Sequence, residues 1–155
     1  MTTMMRKLAG AAMMAGVLAT GAMAGAAQAQ TAPRVYEGGS VWRVSYIETK
    51  PGMFDEYLAY LNTAWRQQNE NGMKSGDVLS YKILAVDSAR DNEPDLILMI
   101  EYKNMAVFDA SMAEQDKRIS SVFGSTQKAA QNAVSRETMR VQRGSVLVRE
   151  LKFQK

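Results

Sequence analysis

The chain predicts one α+β domain: an antiparallel four-stranded sheet that carries its helices on one face. Three observations predict it. Alternating apolar segments at Val41–Ile47, Val78–Val86 and Leu96–Tyr102 mark strands, and Phe54 to Trp65 carries a helical repeat. A second helical region then leads back to a last strand, giving the order β-α-β-β-α-β.

In the first strand Trp42, Val44 and Tyr46 fall on one face, Arg43 and Ser45 on the other. Thr49-Lys50-Pro51-Gly52 stops it, and Pro51 suits the entry to a helix. Phe54, Tyr57, Leu58, Leu61 and Trp65 then follow at i, i+3, i+4, i+7 and i+11, with Asp55, Glu56, Asn62 and Arg66 opposite. Asn69-Glu70-Asn71-Gly72 is expected to end that helix, with the glycine in its C-terminal turn. In the second strand Leu79, Tyr81, Ile83 and Ala85 oppose Ser80, Lys82 and Leu84, and Asp87–Asp95 forms a polar hairpin loop. Leu96–Tyr102 is the most hydrophobic strand, as a central strand should be, interrupted by Glu101. A helix is expected from about Asn104, with Met105, Phe108 and Met112 at helical spacing. Gly124 punctuates it, and Ser125–Arg140 resumes with Ala129, Ala130, Ala133 and Val134 available to pack. Gly144 breaks that helix before the strand Val146–Phe153. This order is the split βαβ, ferredoxin-like arrangement.

Residues 1–29 have the pattern of a cleavable signal peptide. Arg6-Lys7 gives a positive start, Leu8 to Ala27 carries no charge, and Ala27-Gln28-Ala29 is a small-x-small cleavage pattern. The stretch is mostly Ala and Gly, interrupted by Thr20 and Gly21, which argues against a stable membrane anchor. Cleavage near Ala29 would leave Gln30 at the new terminus and send the protein to the periplasm or outside the cell. Residues 30–40, with Pro33, Gly38 and Gly39, are expected to be a disordered lead-in to a single domain over 41–155. Without the leader, 17 basic residues face 16 acidic ones, and half of the 12 methionines are gone. No Lys/Arg run suggests nucleic acid as a partner.

The chain has no cysteine and no histidine. Disulfides, thiolate nucleophiles, Ser-His-Asp catalysis and His-ligated zinc or haem are therefore excluded. The acids of Asp87–Asp95 lack calcium-loop spacing, so no metal is expected. Export would also separate the domain from cytosolic nicotinamide and flavin pools, and no cofactor is expected.

Two strand–helix junctions carry a family resemblance. Val41–Ile47 runs into Lys50-Pro51-Gly52-Met53-Phe54-Asp55-Glu56-Tyr57-Leu58, and Leu96–Tyr102 runs into Lys103-Asn104-Met105-Ala106-Val107-Phe108. Here the chain resembles the dimeric α+β barrel superfamily, in particular its antibiotic-biosynthesis-monooxygenase-like members. The resemblance covers residues 41 to 153 and implies a homodimer whose sheets enclose a cleft. It includes haem-degrading, chlorite-dismutase-like and cofactor-independent oxygenase branches, and members without assigned activity; the haem branches use a histidine that is missing here.

If Trp42, Val44, Tyr46, Leu79, Tyr81, Ile83, Leu98, Ile100 and Tyr102 face the helices, then Arg43, Ser45, Ser80, Lys82, Met99 and Glu101 share the opposite, cleft-lining face. Glu101 would serve as a base if desolvation raised its pKa, and Arg43 or Lys82 would hold an anion or stabilise an enolate. Arg43, Ser45, Lys82, Met99 and Glu101 are thus the candidate ligand-binding residues, with Glu101 and Arg43 the catalytic candidates. The plainer reading of the same charges is an ion-pair network at a dimer interface. Arg136, Glu137 and Arg140 are expected on a solvated helix face. Arg149 is expected to snorkel at the sheet edge, and Trp65, Phe108, Met105 and Met112 to pack as core, the alternative being that they line an aromatic pocket. The expected function is binding of a small apolar or aromatic ligand in the barrel cleft. The alternatives are a cofactor-independent monooxygenase-like enzyme and an interaction protein without a ligand.

Overall fold

The computed structural model describes residues 33–154; the signal-peptide stretch and its cleavage point lie outside them. The elements are β1 (Tyr36–Thr49), α1 (Phe54–Tyr60), a π-helical turn (Leu61–Trp65), α2 (Arg66–Lys74), β2 (Val78–Ala85) and β3 (Leu96–Tyr102). A 3₁₀ turn (Met105–Asp109), α3 (Met112–Phe123), α4 (Thr126–Glu137) and β4 (Arg140–Phe153) complete the chain. The strands lie in the order β2-β3-β1-β4, all antiparallel. That is the ferredoxin-like fold, with the two middle positions held by the first and third strands.

β1 starts five residues earlier than the composition suggests. Tyr36, Glu37 and Gly38 pair with Phe153, Lys152 and Leu151, so the expected lead-in is partly sheet. The glycines that suggested disorder mark a register shift between Gly38 and Val41. A Cβ on Gly39 would lie 2.6 Å from the Glu150 carboxylate, so a larger residue there would require the Glu150 and Lys152 side chains to shift. β4 likewise begins at Arg140, six residues before Val146, and Gly144 sits inside it opposite Tyr46, next to a second register shift.

The first helical region runs on past Gly72 to Lys74 and stops at Gly76, whose φ is +74°. Gly72 serves packing instead: a Cβ there would meet Val78 Cγ2 at 2.5 Å. The expected helix at Asn104 is a 3₁₀ turn capped by the Asn104 side chain, followed by α3 from a Ser111–Glu114 capping box. Met112 is therefore exposed rather than core, and so are Met105 in the 3₁₀ turn and Val134 on α4. α4 ends at Glu137, so Arg140 belongs to β4.

The core groups Ile47, Leu96 and Leu98 of the sheet with Tyr57 and Leu61 of the first helical region and Met139. Thr49 donates its backbone N–H to Asp95 Oδ1 at 3.0 Å, which ties the end of β1 to the start of β3. Leu61 is 1% exposed. Leu61→Ala is expected to cost about 2–5 kcal/mol, because a buried side chain is deleted where neighbours relax little; chemical denaturation of the variant measures it.

Candidate functional site

The two faces of the sheet follow from register. Directly paired residues share a face, and β1 pairs Val41 with Tyr102, Arg43 with Ile100, Ser45 with Leu98 and Ile47 with Leu96. Val41, Ile47, Leu96, Leu98 and Tyr102 are buried under the helices, so Arg43 and Ser45 lie on the helix side with them. Trp42, Val44 and Tyr46 pair with Glu101, Met99 and Ile97 and occupy the open face. This reverses the expected orientation of β1, while β3 and the Tyr81–Ala85 part of β2 face as expected. The reason is that β1 is apolar on both sides at different places. Its largest side chains are in the middle, but the residues that seal the core are Val41 and Ile47.

The five candidate residues therefore separate. Lys82, Met99 and Glu101 lie on the open face, with the Lys82 ammonium 5.7 Å from the Trp42 ring centre. Ser80 Oγ donates to Glu101 Oε2 at 2.6 Å and Ser40 Oγ to Oε1 at 2.7 Å. Those hydroxyls, Ser80's above all, hold the Glu101 carboxyl below its ordinary range, despite the opposing effect of burial. Glu101 is thus a stabilised carboxylate and not the desolvated base considered above.

Arg43 and Ser45 instead line a cavity of about 520 Å³ between the sheet and the helices. Its walls include the rings of Tyr57, Tyr60, Trp65, Tyr102 and Phe108. The Arg43 guanidinium lies 5.2 Å from the Phe108 centroid and 5.6 Å from that of Tyr102. Trp65 meets Tyr81 edge-on at 5.3 Å. Trp65 and Phe108 are thus wall residues, and the sequence signal for that was their aromatic identity on elements following strand ends.

The π-helical turn shapes the helix wall. Arg66 N–H reaches back five residues to the Leu61 carbonyl, which widens the helix just where Leu61 and Trp65 face the sheet. The buried Asn69 donates Nδ2–H to the Trp65 carbonyl at 2.8 Å.

Arg136 and Arg140, expected in solvent, line the same cavity, and Arg140 is buried. Arg140 lies over the Tyr57 ring at 5.8 Å and Arg136 over Tyr60 at 5.9 Å, while the two rings stack at 5.9 Å. Burial raises the pKa of the Tyr57 hydroxyl, the nearby arginines acting against it, and burial also raises that of Tyr102. Asp77 is the one carboxylate among the described lining residues. Lys103 at 2.8 Å and Arg118 at 3.0 Å keep it ionised, Lys103 contributing most to its lowered pKa. Among the described residues, no three acidic side chains gather as a metal site, and no helix is long and apolar enough to cross a membrane.

No protein-family model and no curated protein matches the chain. Solved structures do resemble it. Protein SO0527 from Shewanella oneidensis is 12% identical, covering 76% of this chain and 98% of that one, with a TM-score of 0.44. A candidate antibiotic biosynthesis monooxygenase from Bacteroides thetaiotaomicron is 18% identical, covering 76% and 89%, at 0.38. A dimeric ferredoxin-like protein from an uncultured marine organism is 16% identical, covering 77% and 99%, at 0.47. The likeness is one of fold.

The Glu101 carboxyl is expected to titrate below an ordinary glutamate, and Ser80→Ala to move it upward, as NMR titration would read. Because the folded pKa is depressed, its contribution to stability is full above the unfolded pKa and is lost as pH falls through the folded value. Ser80→Ala should therefore destabilise the protein near neutrality more than at acid pH.

Proposed function

We propose that the protein is an exported homodimer that binds a small aromatic molecule in the cavity between its sheet and its helices. The observation that carries this reading is the cavity itself, about 520 Å³ in size with five aromatic rings in its walls. Small-molecule sites typically measure about 300–1,000 Å³ and combine apolar walls with a few polar groups. Arg43, Ser45, Asn69 and Gln142 are such groups here.

Binding is favoured over acid–base catalysis by the state of the available carboxylate. Asp77 is committed to Lys103 and Arg118 and is a weak base. Export is supported by the leader pattern of residues 1–29.

The dimer is supported by the open face. Trp42, Val44, Tyr46, Ile97, Met99, Val146 and Val148 lie there with no helix over them among the described residues, and Val146 and Val148 are nearly half exposed. A contiguous apolar sheet face of this kind needs cover in water. A second copy placed face to face supplies matching pleats and closes a barrel.

A naphthalene probe is expected to give saturable fluorescence enhancement with one site per subunit, and Trp65→Ala should weaken it at least tenfold while circular dichroism stays unchanged (~1.4 kcal/mol per tenfold). No saturable binding of any naphthalene probe would rule the reading out. Light scattering should give twice the subunit mass, and Val146→Lys should shift it to the monomer by placing a charge on the covered face.

A further inference from the structure

We propose that the cavity selects an aromatic carboxylate, whose charge is met by Arg136 and Arg140 where α4 passes into β4. The proposal rests on the aromatic-binding reading above and adds the chemical class of the ligand.

Arg140 is only 6% exposed, and its Nε–H meets no acceptor. Arg136 Nε is likewise buried and without an acceptor. A guanidinium taken out of water is costly unless its donors are satisfied. The present partners are weak compensation. Arg140 Nη2 lies 3.0 Å from Glu137 Oε1, but the Glu137 side chain is 56% exposed, so the pair is screened. Arg136 donates through Nη1 to the neutral Tyr60 hydroxyl at 3.3 Å, and it forms no ion pair among the described residues. Tyr60 in turn donates to Asn132 Oδ1 at 2.8 Å.

The stacked Tyr57 and Tyr60 rings carry one guanidinium each and hold both forks in place. A carboxylate is the planar anion whose oxygens accept charge-assisted N–H bonds from such guanidinium groups. The charge around the rest of the cavity points the same way. Arg43 has no carboxylate partner among the described residues, and Asp77 is already neutralised by Lys103 and Arg118. A partly enclosed, net positive cleft concentrates an anion and disfavours a cation. An aromatic ring bearing one carboxylate fits both the walls and this charge.

The test compares 2-naphthoate with its neutral isostere 2-naphthylmethanol by calorimetry on the whole protein near neutral pH. Naphthoate is expected to bind about tenfold tighter or more, with the advantage shrinking as salt is raised. Arg140→Met and Arg136→Met should each reduce the naphthoate-over-alcohol affinity ratio, and the double variant should remove it. Glu137→Gln, at an exposed side chain, should strengthen naphthoate binding by removing the competing carboxylate, a gain that misfolding does not produce. Equal affinity for the two probes would overturn this inference and leave the aromatic reading standing. A preference that survives in the double variant would also overturn it. If neither probe binds, the aromatic reading itself fails.

Discussion

The register of β1 between β3 and β4 governs both surfaces that matter in this domain. β1 is hydrogen-bonded on both sides, so every one of its side chains is committed to one face. A slip of one residue would exchange Arg43 with Trp42 and Ser45 with Val44 across the sheet. As it stands, Val41 and Ile47 are 1% and 0% exposed and seal the two ends of the helix-side face. Between them lie Arg43 and Ser45, which do not fill the space beneath the helices as large apolar side chains would. A cavity opens there for that reason. The apolar residues displaced by this parity, Trp42, Val44 and Tyr46, go to the open face. One register thus produces a polar-floored cavity on one side and an open face rich in apolar residues on the other.

The helices finish what the sheet begins. The π-helical turn brings Leu61 inward as core and Trp65 to the cavity wall from the same stretch of backbone. The α4–β4 junction then turns Arg136 and Arg140 inward as well. Lys50 fastens this corner by two bonds, donating its backbone N–H to the Met139 carbonyl at 2.9 Å and its ammonium to the Glu137 carbonyl at 2.8 Å. Aromatic rings hold three separate arginines around the cavity, and the same rings form its apolar wall. Positive charge is in this way kept within a largely apolar space by stacking, with little carboxylate nearby to cancel it.

On the open face Glu101 shows how a charged group is retained in the middle of a sheet. Two serine hydroxyls satisfy its oxygens and favour its charged form. Its neighbours Glu150 and Lys152 continue the polar end of that face. The network lies on the open face, and the aromatic cavity lies on the other side of the sheet.

The sequence by itself determined the order of elements and most strand positions, because alternation and helical spacing are local properties. Leu96–Tyr102 and the Gly124 stop were legible to the residue. The signal-like leader and the chemistries excluded by missing cysteine and histidine are also matters of sequence alone. Only the tertiary structure decided which side of β1 meets the helices, since Trp42, Val44 and Tyr46 look more like core than Arg43 and Ser45 until cross-strand pairing sets the face. It also decided the extension of β1 to Tyr36 and of β4 to Arg140, because each added segment becomes strand only by pairing with the far end of the other strand, Tyr36–Gly38 with Leu151–Phe153 and Arg140–Gln142 with Ile47–Thr49. Arg140 moved from an imagined solvated helix to a buried strand start for the same reason: its burial is set by the partner strand and by Tyr57, both distant in sequence.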